Sequence, residues 1–203
     1  MTASRRLLNS KPLFWLVLSV PAVPMIAAAM QPDAAYEELL HPTGEWSARL
    51  LILALMLTPL AGLLPRARPV RWLLARRRAI GVAAFAYALL HLVLYVVEMG
   101  TLGDILAELG ALGIWTGWAA FALMLPLALT SNDAAMRTLK AGWKRLQRLA
   151  YPAAVLTVVH WAFVHDGVAG ALANSAPLIV LQLLRLGRRF RSNNRQPTME
   201  IAR

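Results

Sequence analysis

The stretch RRRAIGVAAFAYALLHLVLYVVEMG, residues 76–100, decides how this chain reads. Three arginines, Arg76 to Arg78, are followed by an apolar run over 79–99. At about 1.5 Å per residue such a run crosses a hydrocarbon core of ~30 Å. Inside it stands one imidazole, His91, 13 residues beyond Arg78. An ionisable side chain within a membrane span is a candidate functional residue by default.

Working outward, apolar runs bounded by charge also cover about 12–30, 46–64, 110–129, 150–165 and 170–187. The expected fold is an all-α integral membrane protein, a six-transmembrane-helix bundle. Its membrane domain spans 1–190, and a polar, disordered tail spans 191–203. Pro21, Pro24, Pro59, Pro126 and Pro152 fall inside or at the ends of spans and read as kinks or ends. The chain of 203 residues is 59% hydrophobic and 15% charged, with a mean hydropathy of +0.55. An average soluble domain is about 45–50% apolar and about 25% charged. Six crossings use up the length, which excludes a large catalytic domain outside the membrane. No P-loop, Gly-x-Ser-x-Gly or Gly-x-Gly-x-x-Gly motif appears.

Charge fixes the sidedness. Of the 21 basic residues, 20 fall in the N-terminus, in 66–78, in 137–148 and in the tail from Arg185, and Arg49 alone lies on the other side. Eight of the ten acids take the opposite side. Cytoplasmic loops attract Lys and Arg, so both termini are expected in the cytoplasm and the protein in a bacterial inner membrane. The same rule accounts for the net charge of +11 without nucleic acid, since no aromatic-basic motif accompanies it. Arg5, Arg6 and Lys11 before an apolar run ending in Ala27-Ala28-Ala29 resemble a cleavable leader. A retained first helix is the preferred reading, because a short loop leads straight into another span. The basic loop 66–78 could grip anionic lipid headgroups, or anchor by charge alone.

The four histidines are 41, 91, 160 and 165. His41 is expected in the first outer loop, within His41-Pro42-Thr43-Gly44. His160 lies 12 residues past Arg148, as His91 lies 13 past Arg78. Both therefore sit roughly 18–19 Å deep on outward-running helices. Two imidazoles from separate helices at one depth can clamp one heme iron from both faces. The alternative is a pair of neutral histidines hydrogen-bonded between helices. Cysteine is absent, which removes thiolate metal sites, iron–sulfur clusters and c-type heme attachment. His165 follows His160 by five residues, about 140° away around a helix, and is read as a surface residue. Small residues before the pair, among them Gly81, Ala83, Ala84, Ala153 and Ala154, suit close helix packing or a flat macrocycle. Trp15, Trp46, Trp72, Trp143 and Trp161 read as interfacial belts. Thr130-Ser131-Asn132-Asp133 ends one helix and caps an amphipathic helix over about 133–148.

These residues resemble the MsrQ family, the heme-binding membrane subunits of bacterial periplasmic protein-methionine-sulfoxide reductase systems, within the wider ferric-reductase-like transmembrane domains. The resemblance is carried by Arg76-Arg77-Arg78-Ala79-Ile80-Gly81, Tyr87-Ala88-Leu89-Leu90-His91-Leu92 and Tyr95. Leu125 to Ser131, Trp143-Lys144-Arg145-Leu146, Arg148 to Tyr151, His160-Trp161 and His41 to Gly44 extend it over the chain apart from the tail. It implies a six-helix bundle with heme b on His91 and His160. It also implies electrons taken from quinol and passed to a periplasmic molybdopterin-containing methionine-sulfoxide reductase. Flavin mononucleotide (FMN) is also implied, with no residue of this chain to assign it. Some family members carry a third His where this chain has Gln147. With Arg78 on the facing helix, a second heme is not expected, and the count is one per chain. Two rivals stand beside this reading. One is a heme b reductase of another outer-face acceptor, such as a ferric chelate. The other is a non-redox transporter whose buried His residues relay protons.

Overall fold

The computed structural model describes residues 10–164 and 167–193. Among these residues all regular structure is helical. The elements are α1 (Lys11–Ser19), α2 (Ala22–Ala29), α3 (Tyr36–Leu63), α4 (Arg68–Leu74), α5 (Arg77–Met99) and α6 (Leu102–Glu108). They continue as α7 (Leu112–Leu129), α8 (Asp133–Leu139), α9 (Ala141–Leu146), a 3₁₀ turn at Gln147–Leu149, α10 (Ala150–Val164) and α11 (Gly167–Asn193). Four of them, α3, α5, α7 and α11, are long and apolar enough to cross a membrane. The pair α1 and α2, bent by 50°, makes a fifth candidate. The bend falls at Pro21, where a missing N–H and a fixed φ interrupt the helix.

Helices α5, α3, α11, α10 and α7 close into a ring, with α1 and α2 laid against its outside. Lipid gives little hydrophobic drive between helices, so close packing of small side chains holds such bundles. Ala83, Ala84, Ala153 and Ala154 are buried at the centre with Leu57, Ile80 and Met124. Polar groups stitch the same contacts. Ser47 Oγ donates to the Ala84 carbonyl at 2.9 Å, and Tyr87 Oη to the Leu18 carbonyl at 2.9 Å. Arg49, the one base on the acidic side, pairs with Glu45 and reaches Asn174 Oδ1 of α11 at 3.3 Å. Its charge is thus answered locally.

Three expectations need correction. His41 to Gly44 is not a loop, because α3 starts at Tyr36 and carries through it. Glu37 and Glu38 favour the first turn of that helix, and Thr43 Oγ1 donates back to the Leu39 and Leu40 carbonyls near Pro42. The helix over 133–148 is broken at Lys140, whose φ of 47° lies in the left-handed region. The Asn132 cap is as expected, its side chain accepting from Ala135 N–H at 2.8 Å. The turn lets Trp143 Nε1 donate to the Thr130 carbonyl at 2.9 Å, rather than lie toward lipid. Trp161 is buried and packs inside the bundle instead of joining a belt, while the half-buried Trp46 stacks on Tyr87. The last helix continues to Asn193, and the tail from 194 onward lies outside the described residues.

Candidate functional site

Helices α3, α5, α7 and α10 enclose a cavity of about 560 Å³, within the range of cofactor sites. His91 of α5 and His160 of α10 both line it. Their ring centroids are 5.9 Å apart and their planes are inclined by 80°. Counting residues from Arg78 and Arg148 puts the two histidines on one level, and the fold brings them together. A metal ion clamped between two imidazole nitrogens at ~2 Å each holds the ring centroids about 6 Å apart.

Each ring is seated by the same device. His91 Nδ1 donates to the Leu40 carbonyl at 2.9 Å, and His160 Nδ1 donates to the Gly113 carbonyl at 2.7 Å. A carbonyl only accepts, so Nδ1 carries a proton in each ring, and in the neutral form the lone pair sits on Nε2. This is the tautomer a metal-ligating histidine needs, with its other nitrogen held by an outer partner. Three residues after each acceptor carbonyl stands a threonine, and four after it a glycine. Thr43 Oγ1 donates to Leu39 and Leu40 carbonyls at 2.7 and 3.0 Å, and Thr116 Oγ1 to those of Leu112 and Gly113 at 2.7 and 2.9 Å. Both threonines are buried. The glycines make the space that the imidazoles fill. A Cβ on Gly44 would lie 3.2 Å from His91 Nδ1, and one on Gly117 would lie 2.6 Å from His160 Nδ1. Gly113 likewise lets α7 lie on α10, since its Cβ would come 2.5 Å from Val164 Cγ2.

The histidine pair was legible in the sequence, whereas Thr43-Gly44 and Thr116-Gly117 were missed. The available signal was the recurrence of Thr-Gly, 48 residues before His91 and 44 before His160. His41 also lines the cavity, from α3. His165 lies outside the described residues. At the far end of α10, Gln147 Nε2 donates to the Leu127 carbonyl and to Thr130 Oγ1, both at 3.4 Å, which fastens the 3₁₀ turn to the end of α7. Arg78 there pairs with Asp133 at 2.6 Å, and this guanidinium holds the exposed carboxyl below its ordinary pKa.

The donor set determines what the site could bind. Among the described residues no group of three or more His, Asp and Glu side chains could hold a metal ion. Two imidazoles alone leave most of a metal's coordination unfilled. A porphyrin would bring four ring nitrogens of its own and would need from the chain only the two imidazoles and an apolar slot. The cavity offers such a slot, walled by Ala88, Leu92, Ala120, Phe121 and Met124. Glu37, Glu98 and Glu108 line it where α3 begins and where α5 and α6 end.

Residues 43–158 match the family described as ferric reductase like transmembrane component. The match spans both Thr-Gly seats and His91. Fold and site thus define a member of the ferric-reductase-like class of membrane helical proteins. The protein-methionine-sulfoxide reductase heme-binding subunit MsrQ of Azospira oryzae is 37% identical over 171 residues, 80% of this chain and 70% of its own. The subunits of the same name from Xanthomonas axonopodis pv. citri and Xanthomonas euvesicatoria pv. vesicatoria are 37% and 38% identical over 159 residues. That alignment covers 71% of this chain and 66% of each relative, so the chain spans just under two thirds of their length. The chain belongs to the MsrQ family. No solved structure matches it.

Proposed function

We propose that this chain is a membrane electron-transfer subunit holding one heme b through Nε2 of His91 and His160. The observation that carries the reading is the pair of imidazoles, 5.9 Å apart, each seated by a Thr-Gly device across one cavity. In this reading six crossings place both termini in the cytoplasm of a bacterium with the bundle in its inner membrane, and α10 crosses although it has only 15 residues. The distribution of 20 of 21 bases supports that topology. The donor is quinol, and the acceptor is a periplasmic molybdopterin-containing methionine-sulfoxide reductase, which reverses the oxidation of Met in envelope proteins. The relatives' names support the sulfoxide-reductase assignment.

Bound heme would supply one-electron chemistry at a potential set by ligands, hydrogen bonds and burial. The chain's own residues do the rest. The Leu40 and Gly113 carbonyls hold the Nδ1 protons, which fixes ring orientation and raises Nε2 basicity. Apolar side chains of α5 and α7 wall the slot. No side chain here is required to transfer a group.

A reduced-minus-oxidised visible spectrum of the detergent-purified protein, with pyridine hemochrome quantitation, tests the reading. One b-type heme per chain is expected. A flat spectrum after expression with ample heme would overturn it and favour the transporter. Stopped-flow oxidation by the periplasmic reductase against ferric citrate then separates the two redox readings.

A further inference from the structure

A second cavity, of about 490 Å³, lies between α10 and α11 at the end remote from the histidine pair. Tyr151 is nine residues before His160, about 14 Å along the helix. Arg148, Tyr151, Gln182, Arg185 and Leu186 line it. The polar groups are nearly all donors. Arg185 Nη1 donates to Tyr151 Oη at 3.4 Å, which occupies the phenol oxygen as acceptor and leaves its O–H to point elsewhere. Gln182 Nε2 is buried and has no hydrogen-bond partner among the described residues. A buried donor without a partner is destabilising, and each such group in a folded protein asks for an explanation. Among the described residues no carboxylate lines the cavity to answer the two guanidiniums.

We propose that this cavity binds a phosphate group, held by the Arg148 and Arg185 guanidiniums, the Tyr151 hydroxyl and the Gln182 amide. Phosphate has only acceptor oxygens, and the planar guanidinium fork matches them. Simple charge anchoring accounts for arginines at a helix end, but not for the unpartnered Nε2 of half-buried Gln182 one turn before Arg185. The source is either the headgroup of an anionic phospholipid, as in basic pockets between membrane helices, or a soluble phosphate. The inference is independent of what His91 and His160 bind.

The test uses the full chain purified in non-ionic detergent. Native mass spectrometry counts co-purified phosphatidylglycerol. Thermal unfolding of the delipidated protein is followed with inorganic phosphate, against chloride at equal ionic strength. One retained lipid per chain, or a rise in Tm specific to phosphate, is expected, and the arm that responds identifies the source. Binding should weaken at least tenfold in Gln182→Leu, which leaves charge unchanged, and in the pair Arg148→Gln with Arg185→Gln. Circular dichroism checks that each variant folds. The proposal is overturned if the wild type shows neither response, or if Gln182→Leu binds as wild type. It is equally overturned if removing Arg66 and Arg68, in the 66–78 loop, weakens binding as much as removing the pocket pair.

Discussion

The glycine seat of His160 makes a quantitative prediction. In Gly117→Ala the new Cβ would stand 2.6 Å from Nδ1 and 2.8 Å from Cε1 of the imidazole. Carbon contacts are at rest near 3.5–4.0 Å, so the ring must retreat by about 1 Å. It cannot do so and keep the 2.7 Å bond to the Gly113 carbonyl. Overpacking of this kind costs roughly 1–3 kcal/mol. At about 1.4 kcal/mol per tenfold, heme affinity should fall about 5- to 150-fold, in line with the 10–100-fold typical of losing an outer partner of a metal-bound histidine. Hemin titration into the purified apoprotein, read at the Soret band, measures this. Gly44→Ala makes an internal scale, because its Cβ would meet His91 at 3.2 Å and needs only a few tenths of an ångström; its loss should be the smaller. Gly81→Ala has nothing within 4 Å and should leave affinity unchanged while firming α5 by up to ~1 kcal/mol. If Gly117→Ala binds hemin as tightly as Gly81→Ala, the imidazole of His160 is not a ligand held in this seat.

Four further outcomes are expected. His91→Ala or His160→Ala should lose the b-type spectrum while keeping helical circular dichroism. Gln147→Ala should retain one heme by pyridine hemochrome; loss of most of the heme would place a second ligand set at that end. Thr43→Val and Thr116→Val each remove a buried hydroxyl, and a potentiometric titration should show a shifted midpoint with heme content preserved, because the acceptor carbonyls are repolarised. The Arg78–Asp133 pair lowers the folded carboxyl pKa, so its stabilisation is present above the ordinary value of about 3.9 and lost as pH falls through the folded one. Thermal unfolding across pH 2–6 should therefore steepen less in Asp133→Asn, and the difference should shrink in high salt.

The parts of the fold legible in the sequence were those written in side-chain chemistry. Arg76 to Arg78 and Arg148 marked one edge, and counting from them put His91 and His160 at one depth. The start of α3 was illegible because Pro42 and Gly44 look like a loop, while the compensation lies in the Thr43 hydroxyl and two glutamates. The break at Lys140 was hidden because a lysine carries no signature of a positive φ. The seats were hidden for another reason. Their acceptors are main-chain carbonyls of Leu40 and Gly113, which any residue could present. Their glycines act through absent atoms.

The doubled Thr-Gly seat also describes how the molecule is put together. Each imidazole rests on the helix that its own helix packs against most extensively, His91 of α5 on α3 and His160 of α10 on α7. The direct contact between α5 and α7 is far slighter. The two helix pairs are joined through α11 and, more lightly, through α3 against α10 and α5 against α7, and whatever the two imidazoles grip ties the bundle together at these lighter contacts. Emptying the site should loosen those contacts first, giving a flat cofactor a way in while α11 still holds the two pairs together.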